Sequence, residues 1–143
     1  MSDNKPFHKR KFPSSFMPQH KEELKSEARE LNLISARYNF HESDESLLHK
    51  MLIYMTIDQP DRIHKHNDKD EIIIIEEGTL IVKYYNSDLE ETSRTVLNKS
   101  HSSSILIPKG QRHAICVESK EVLFMEIAQG PFQPQSTDWF TIE

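Results

Sequence analysis

The chain is short of cysteine, of long apolar runs and of clustered positive charge, and each shortage removes a class of function. Cys116 is the only cysteine, so no disulfide can form within the chain, and a reducing, cytoplasmic setting is expected. The longest apolar runs are four or five residues, against roughly 20 for a bilayer-spanning helix. No signal-peptide core follows the N-terminus, so no membrane partner is expected. Lys and Arg total 18 against 23 Asp and Glu, with no basic stripe along one element, which argues against a nucleic-acid partner. A small-molecule or protein partner remains. The length, 143 residues, suits one domain with a single core.

What is present begins with a basic, proline-containing stretch over residues 1–20, including Lys9, Arg10 and Lys11, with no apolar period to anchor a helix. It is expected to be a flexible tail. Residues 21–143 form the single domain. Leu24, Ala28 and Leu31 recur at three-to-four spacing among charges, continuing toward Leu33 and Ile34, which predicts an amphipathic helix over about 21–35. Beyond it come short β-branched and aromatic runs, among them LLHKMLIYMTI, EIIIIEE, TLIVKYYN, TSRTVLN, SSILIP, HAICVE and EVLFMEIA, bounded by turn residues. The fold class is therefore mainly β, an antiparallel sandwich or barrel with one N-terminal helix.

The stretch IHKHNDKDEIIIIEEG, from Ile63 to Gly78, carries the chemistry. In an extended segment alternate side chains share a face, so His64 and His66 point the same way. A short turn through NDKD lets the Glu71 carboxylate swing back toward them. Gly78 can take the positive φ of a tight hairpin, which predicts direct pairing of the strands on either side. In IPKGQRHAICV, Pro108 and Gly110 make a turn and His113 opens a strand that can return beside the first.

These residues resemble a known family. His64, His66, Glu71 and Gly78 are spaced like the first cupin motif, and Pro108, Gly110 and His113 like the second; the order and intervening length also suit it. Asp58 and Ser102 stand where cupin motifs often open with glycine, and Val117 where the second often closes with asparagine. Together with ARYNFHES (36–43) and EIAQGPFQP (126–134), the pattern looks like the WbuC family of cupin-fold metalloproteins over roughly residues 22–140. The resemblance implies a small antiparallel jelly-roll barrel and one divalent transition metal per chain, held by His64, His66, Glu71 and His113. It also implies a setting in O-antigen and surface-polysaccharide metabolism.

Other residues are read against plainer alternatives. Glu126 on the last strand is either a rim residue or a pocket acid, since a carboxylate is rarely buried without a partner. Asn39 and His41, beside Arg37 and Tyr38, read as a connecting loop; the resemblance gives them a role in the pocket. Arg62 shares parity with His64 and can offer a fork to a carboxylate or phosphate, against the reading of a solvated surface arginine. If Ile73 and Ile75 line the barrel, Ile72 and Ile74 point outward and need a cover, which predicts a homodimer or a helix across them.

The leading functional expectation is an enzyme acting on a small sugar-derived substrate by isomerase or epimerase chemistry. Glu126, His41 and Tyr54 are its candidate acids or bases, Asn39 and Arg62 its substrate contacts, and Fe, Mn, Ni or Zn its metal. The alternatives are a non-catalytic saccharide-binding module, an iron-dependent dioxygenase, and a metal that only staples the fold. Structural metal sites are usually closed by four sulfur or nitrogen ligands, which weakens the last.

Overall fold

The computed structural model describes residues 7–10 and 15–142. Among these, the order is β1 (Phe7–Arg10), α1 (Pro18–Glu30), β2 (Ser35–Asn39), β3 (Leu48–Thr56), β4 (Ile63–His66), β5 (Glu71–Glu77) and β6 (Leu80–Tyr85). It continues with β7 (Glu91–Leu97), β8 (Ser104–Ile107), β9 (Arg112–Val117), β10 (Glu121–Gln129), a 3-10 turn (Pro134–Ser136) and β11 (Thr137–Phe140). Within the expected tail, residues 1–6 and 11–14 lie outside the described residues. The backbone of β1 pairs in parallel with β2.

Two sheets face each other, one ordered β1-β2-β3-β10-β5-β8 and the other β11-β4-β9-β6-β7. The core between them draws Met51, Ile53, Ile73, Ile75, Val122 and Phe124 from the first sheet and Leu80, Val82, Leu97 and Val117 from the second. Met51 and Ile53, Ile73 and Ile75, Val122 and Phe124, and Leu80 and Val82 are each separated by one residue because the strand period of two sends alternate side chains inward. Fully burying one such isoleucine or leucine stabilises by about 1.5–3 kcal/mol.

The opposite parity of the first sheet serves a second cluster beneath the helix. Leu24 and Ala28 of α1 meet Tyr38, Leu52, Tyr54, Leu123 and Met125, with Ile74 and Ile127 alongside. The helix is thus the cover that Ile74 requires, while Ile72 stays 38% exposed. Lys25 donates to Glu77 at 2.8 Å and Arg29 to Glu121 at 2.8 Å, tying the helix to strand ends. The helix ends earlier than its apolar spacing predicts: Asn32 takes a left-handed φ of 55°. Leu33 then turns back to pack on the cluster and donate to Ala28 O, a C-terminal arrangement asparagine tolerates.

Two expectations about the backbone are corrected. Residues Arg37 to Asn39 are not connecting loop but strand, pairing with β3. Strands β5 and β6 do not form a hairpin, since they belong to different sheets. Gly78, at φ 83°, makes the corner between them, pressed so close to the backbone of Glu121 and Val122 that a Cβ would not fit. The positive φ was legible, but the side to which the chain leaves the turn depends on packing against the β9–β10 connection.

Candidate metal centre and cavity

The site is built on the neighbouring strands β4 and β9. His64 lies directly opposite His113, and alternation brings His66 to the same face. Ligand atoms of His64, His66 and His113 lie within 4.8 Å of one another. Each Nδ1 is engaged from behind: His64 with Arg62 O at 3.1 Å, His66 with Thr137 Oγ1 at 2.9 Å, and His113 with Gln111 O at 2.8 Å. Those contacts fix the rings and leave the three Nε2 atoms for the centre, the outer support metal-binding histidines ordinarily have.

Glu71 enters from the other sheet. Its Oε2 stands 3.4 Å from His66 Nε2 and its Oε1 3.5 Å from His113 Nε2. Glu71 Oε1 and His113 Nε2 are both buried and make no hydrogen bond within the chain, a cost that a cation between them would remove. Burial, together with the positive charge His113 would carry, lowers the His64 imidazole to about 4, so it offers a lone pair at neutral pH. Burial pushes the Glu71 carboxyl up, but His113 and His66, standing 3.5 and 3.4 Å from its oxygens, outweigh it and hold the carboxyl well below its usual range. Three imidazoles and one carboxylate fit a divalent transition metal.

The centre opens on a cavity of about 380 Å³. Glu126 and Arg62 line it, so Glu126 is a pocket acid; burial, reinforced by the nearby Glu71 carboxylate, pushes its carboxyl up to about 8. Arg62 lies with its guanidinium 4.1 Å over the Trp139 ring. The other sequence-selected residues stand elsewhere. Tyr54 is on the helix side of β3, 2% exposed, with its hydroxyl donating to Glu121 Oε2 at 2.6 Å. Burial raises that phenol to about 12, so Tyr54 is withdrawn as an acid or base. Asn39 is buried on the inward parity of β2, and His41 is buried with Nδ1 3.2 Å from the Lys50 amide; neither is among the residues that line the cavity.

Residues that the sequence reading passed over also belong to the site. His49 lines the cavity, with Nε2 buried and without a hydrogen bond in the chain, and its ring stacks on His41 at 3.9 Å. The signal was its parity, since His49, Met51, Ile53 and Met55 alternate along β3 and all reach the cavity wall. Arg37 does so from β2. Trp139 and Thr137 come from β11, which pairs with β4; TDWF offered too few residues to announce a strand. Cys116 packs with Ile63, Ile81 and Ala114, and burial pushes its thiol up to about 12. No helix among the described residues is long and apolar enough to cross a membrane.

Comparison with known structures places this arrangement. The capsular polysaccharide assembling protein CapF from Staphylococcus aureus superposes with TM-score 0.59 at 14% identity, over 74% of this chain and 30% of CapF. KdgF from Halomonas sp. gives TM-score 0.55 at 13% identity, over 71% and 83% of the two chains. A cupin-2 domain containing protein from Shewanella frigidimarina gives 0.50 at 22% identity, over 66% and 79%. The chain therefore spans less than a third of CapF but most of the other two. At such identities the likeness establishes the cupin fold. No curated protein matches the chain in sequence. A family described as Domain of unknown function (DUF6016) matches residues 17–97, more than half of the chain, and the protein belongs to that family.

Proposed function

We propose that the protein is a metal-dependent cupin acting on a small sugar-derived substrate in surface-polysaccharide metabolism, by isomerase or epimerase chemistry, as its motifs' resemblance to the WbuC family implies. The observation that carries this reading is the convergence of His64, His66, His113 and Glu71, of which His64, His66 and Glu71 line a cavity that also presents Glu126 and His49. CapF, a structural neighbour, is described as assembling capsular polysaccharide, which supports the setting.

The residues divide the work. His64, His66, Glu71 and His113 would hold one Fe, Mn, Ni or Zn ion, which when bound supplies Lewis acidity to a substrate carbonyl or hydroxyl oxygen. Glu126 and His49 face the same cavity and can each carry a proton at a carboxyl oxygen or at Nε2, as a proton shift between neighbouring carbons requires. Trp139, with Arg62 over its face, forms part of the cavity lining. A cavity without a proton-carrying group would have favoured a binding module; Glu126 and His49 support an enzyme.

The test is turnover in deuterated water. Protein purified without added metal is assayed for its metals, then incubated with a panel of sugar nucleotides and free sugars. Carbon-bound deuterium in a product, found by NMR, is the expected result. Binding with no exchange and no product across the panel would overturn the enzyme in favour of the module.

Self-association belongs to the same proposal. Ile72 and Leu106 are paired opposite each other on β5 and β8 and are 38% and 57% exposed on the outer face of the sheet. Two adjacent apolar side chains beside an edge strand suit contact with a second copy.

A further inference from the structure

Arg37 is the cavity residue to which the metal centre gives no task. It lies opposite Ile53 on β3, and Ile53 belongs to the inward cluster, so the guanidinium stands on a core-facing parity. Its Nε is buried with no acceptor in the chain. Its Nη1 donates to Met51 Sδ at 3.3 Å, and a thioether is a weak acceptor. Among the described residues Arg37 forms no ion pair, although Glu126 is near enough to feel its charge. A guanidinium is always charged, and holding one in a half-buried wall without a matching acceptor is costly.

Arg37 has company. Lys69, from the connection between β4 and β5, and Arg62, before β4, line the same cavity. Neither forms an ion pair among the described residues, and the chain as a whole has a net charge of −5. Of the two carboxyls in the cavity, Glu71 is directed to His66 and His113. Three cations therefore collect in one concavity of an acidic protein. Arg37 projects from the six-stranded sheet, whereas the three histidines project from the other.

We infer that Arg37, assisted by Lys69, seats an oxyanion of the substrate, a carboxylate or a phosphate, across the cavity from the histidine cluster. The planar fork matches either group with two parallel N–H donors, and Lys69 adds a mobile point charge. A ligand so held spans the two sheets, with its anionic end on β2 and its reacting oxygen toward the histidines. The inference rests on the reading above that the cavity takes a sugar-derived substrate, and it narrows that class to acidic or phosphorylated sugars.

Calorimetric titration of the metal-loaded protein tests it, with glucose, glucuronate, glucose 6-phosphate and inorganic phosphate as probes. Metal content is measured on every variant. The expected result is that glucuronate or glucose 6-phosphate binds about 10- to 100-fold more tightly than glucose, the range for hydrogen bonds to a charged group. Whichever of the two wins identifies the carboxylate or the phosphate. Arg37→Gln should erase the advantage, Arg37→Lys should retain part of it, and Lys69→Gln should reduce it. Arg37→Lys also serves if the glutamine variant does not fold. Glucose binding as tightly as both acids, or an unchanged advantage in metal-replete Arg37→Gln and Arg37→Lys, overturns the anion seat and leaves the sugar reading standing. Arg37-dependent binding of inorganic phosphate, with no sugar binding better, supports the seat and overturns the sugar reading.

Discussion

His64 and His113 lie directly opposite each other on antiparallel strands, with ring centroids 4.3 Å apart, although the chain between them crosses both sheets. That register turns two separate sequence motifs into one cluster. It also makes the cluster separable from the core, because the inward apolar residues of both sheets form their own contiguous group.

Replacing His64 and His113 by alanine should therefore remove bound metal and leave the fold. Elemental analysis should show well under one metal per chain, with an unchanged far-ultraviolet circular dichroism spectrum. A full equivalent retained by the double variant would refute the site.

The metal-free protein should lose stability on mild acidification. His64 titrates near 4 when folded and near 6.5 when unfolded, so between these values the unfolded chain binds the extra proton. Its contribution is fully present above about pH 6.5 and lost as the pH falls toward 4, with roughly 2 kcal/mol of it lost between pH 7 and pH 5 for one group. Urea midpoints at pH 7 and pH 5 check this, and His64→Gln should flatten the dependence.

Glu71→Gln keeps an oxygen donor but gives up the charge, so bound metal should be lost at higher pH than in the parent. Equilibrium dialysis against pH measures it. Coincident curves would show that Glu71 does not ligate.

A second acid-sensitive contact ties the helix down. The Arg29 guanidinium, aided by the Tyr54 hydroxyl and opposed by burial, lowers the Glu121 carboxyl from 4.5 to about 2. Its stabilisation is present above pH 4.5 and fades as the pH falls to 2; discounted for solvent exposure it is about 1 kcal/mol. Glu121→Gln should cost that amount at pH 7 and nothing at pH 2, as read from denaturant midpoints.

Ile72→Lys with Leu106→Lys should convert a dimer to a folded monomer, since an apolar contact cannot take up unpaired charges. Light scattering decides it. Ile74 is left untouched because it packs beneath α1 and its change would act on the fold.

By itself the sequence determined the parts of this protein that are local. The strand β5 follows from EIIIIEE, the shared face of His64 and His66 from a period of two, and the turns at Gly78 and Gly110 from the φ of 83° that both adopt. Glu126 was legible as a charge on an inward parity. Tertiary structure decided whatever depended on which sheet a strand joins. Gly78 sends β6 into the second sheet, Tyr54 falls on the helix side of β3, and Arg37 and His49 become cavity residues because β2 and β3 extend the sheet past β10. The physical reason is that alternation divides a strand's residues into two sets, while only the packing of helix and sheets says which set meets the cavity and which meets the helix.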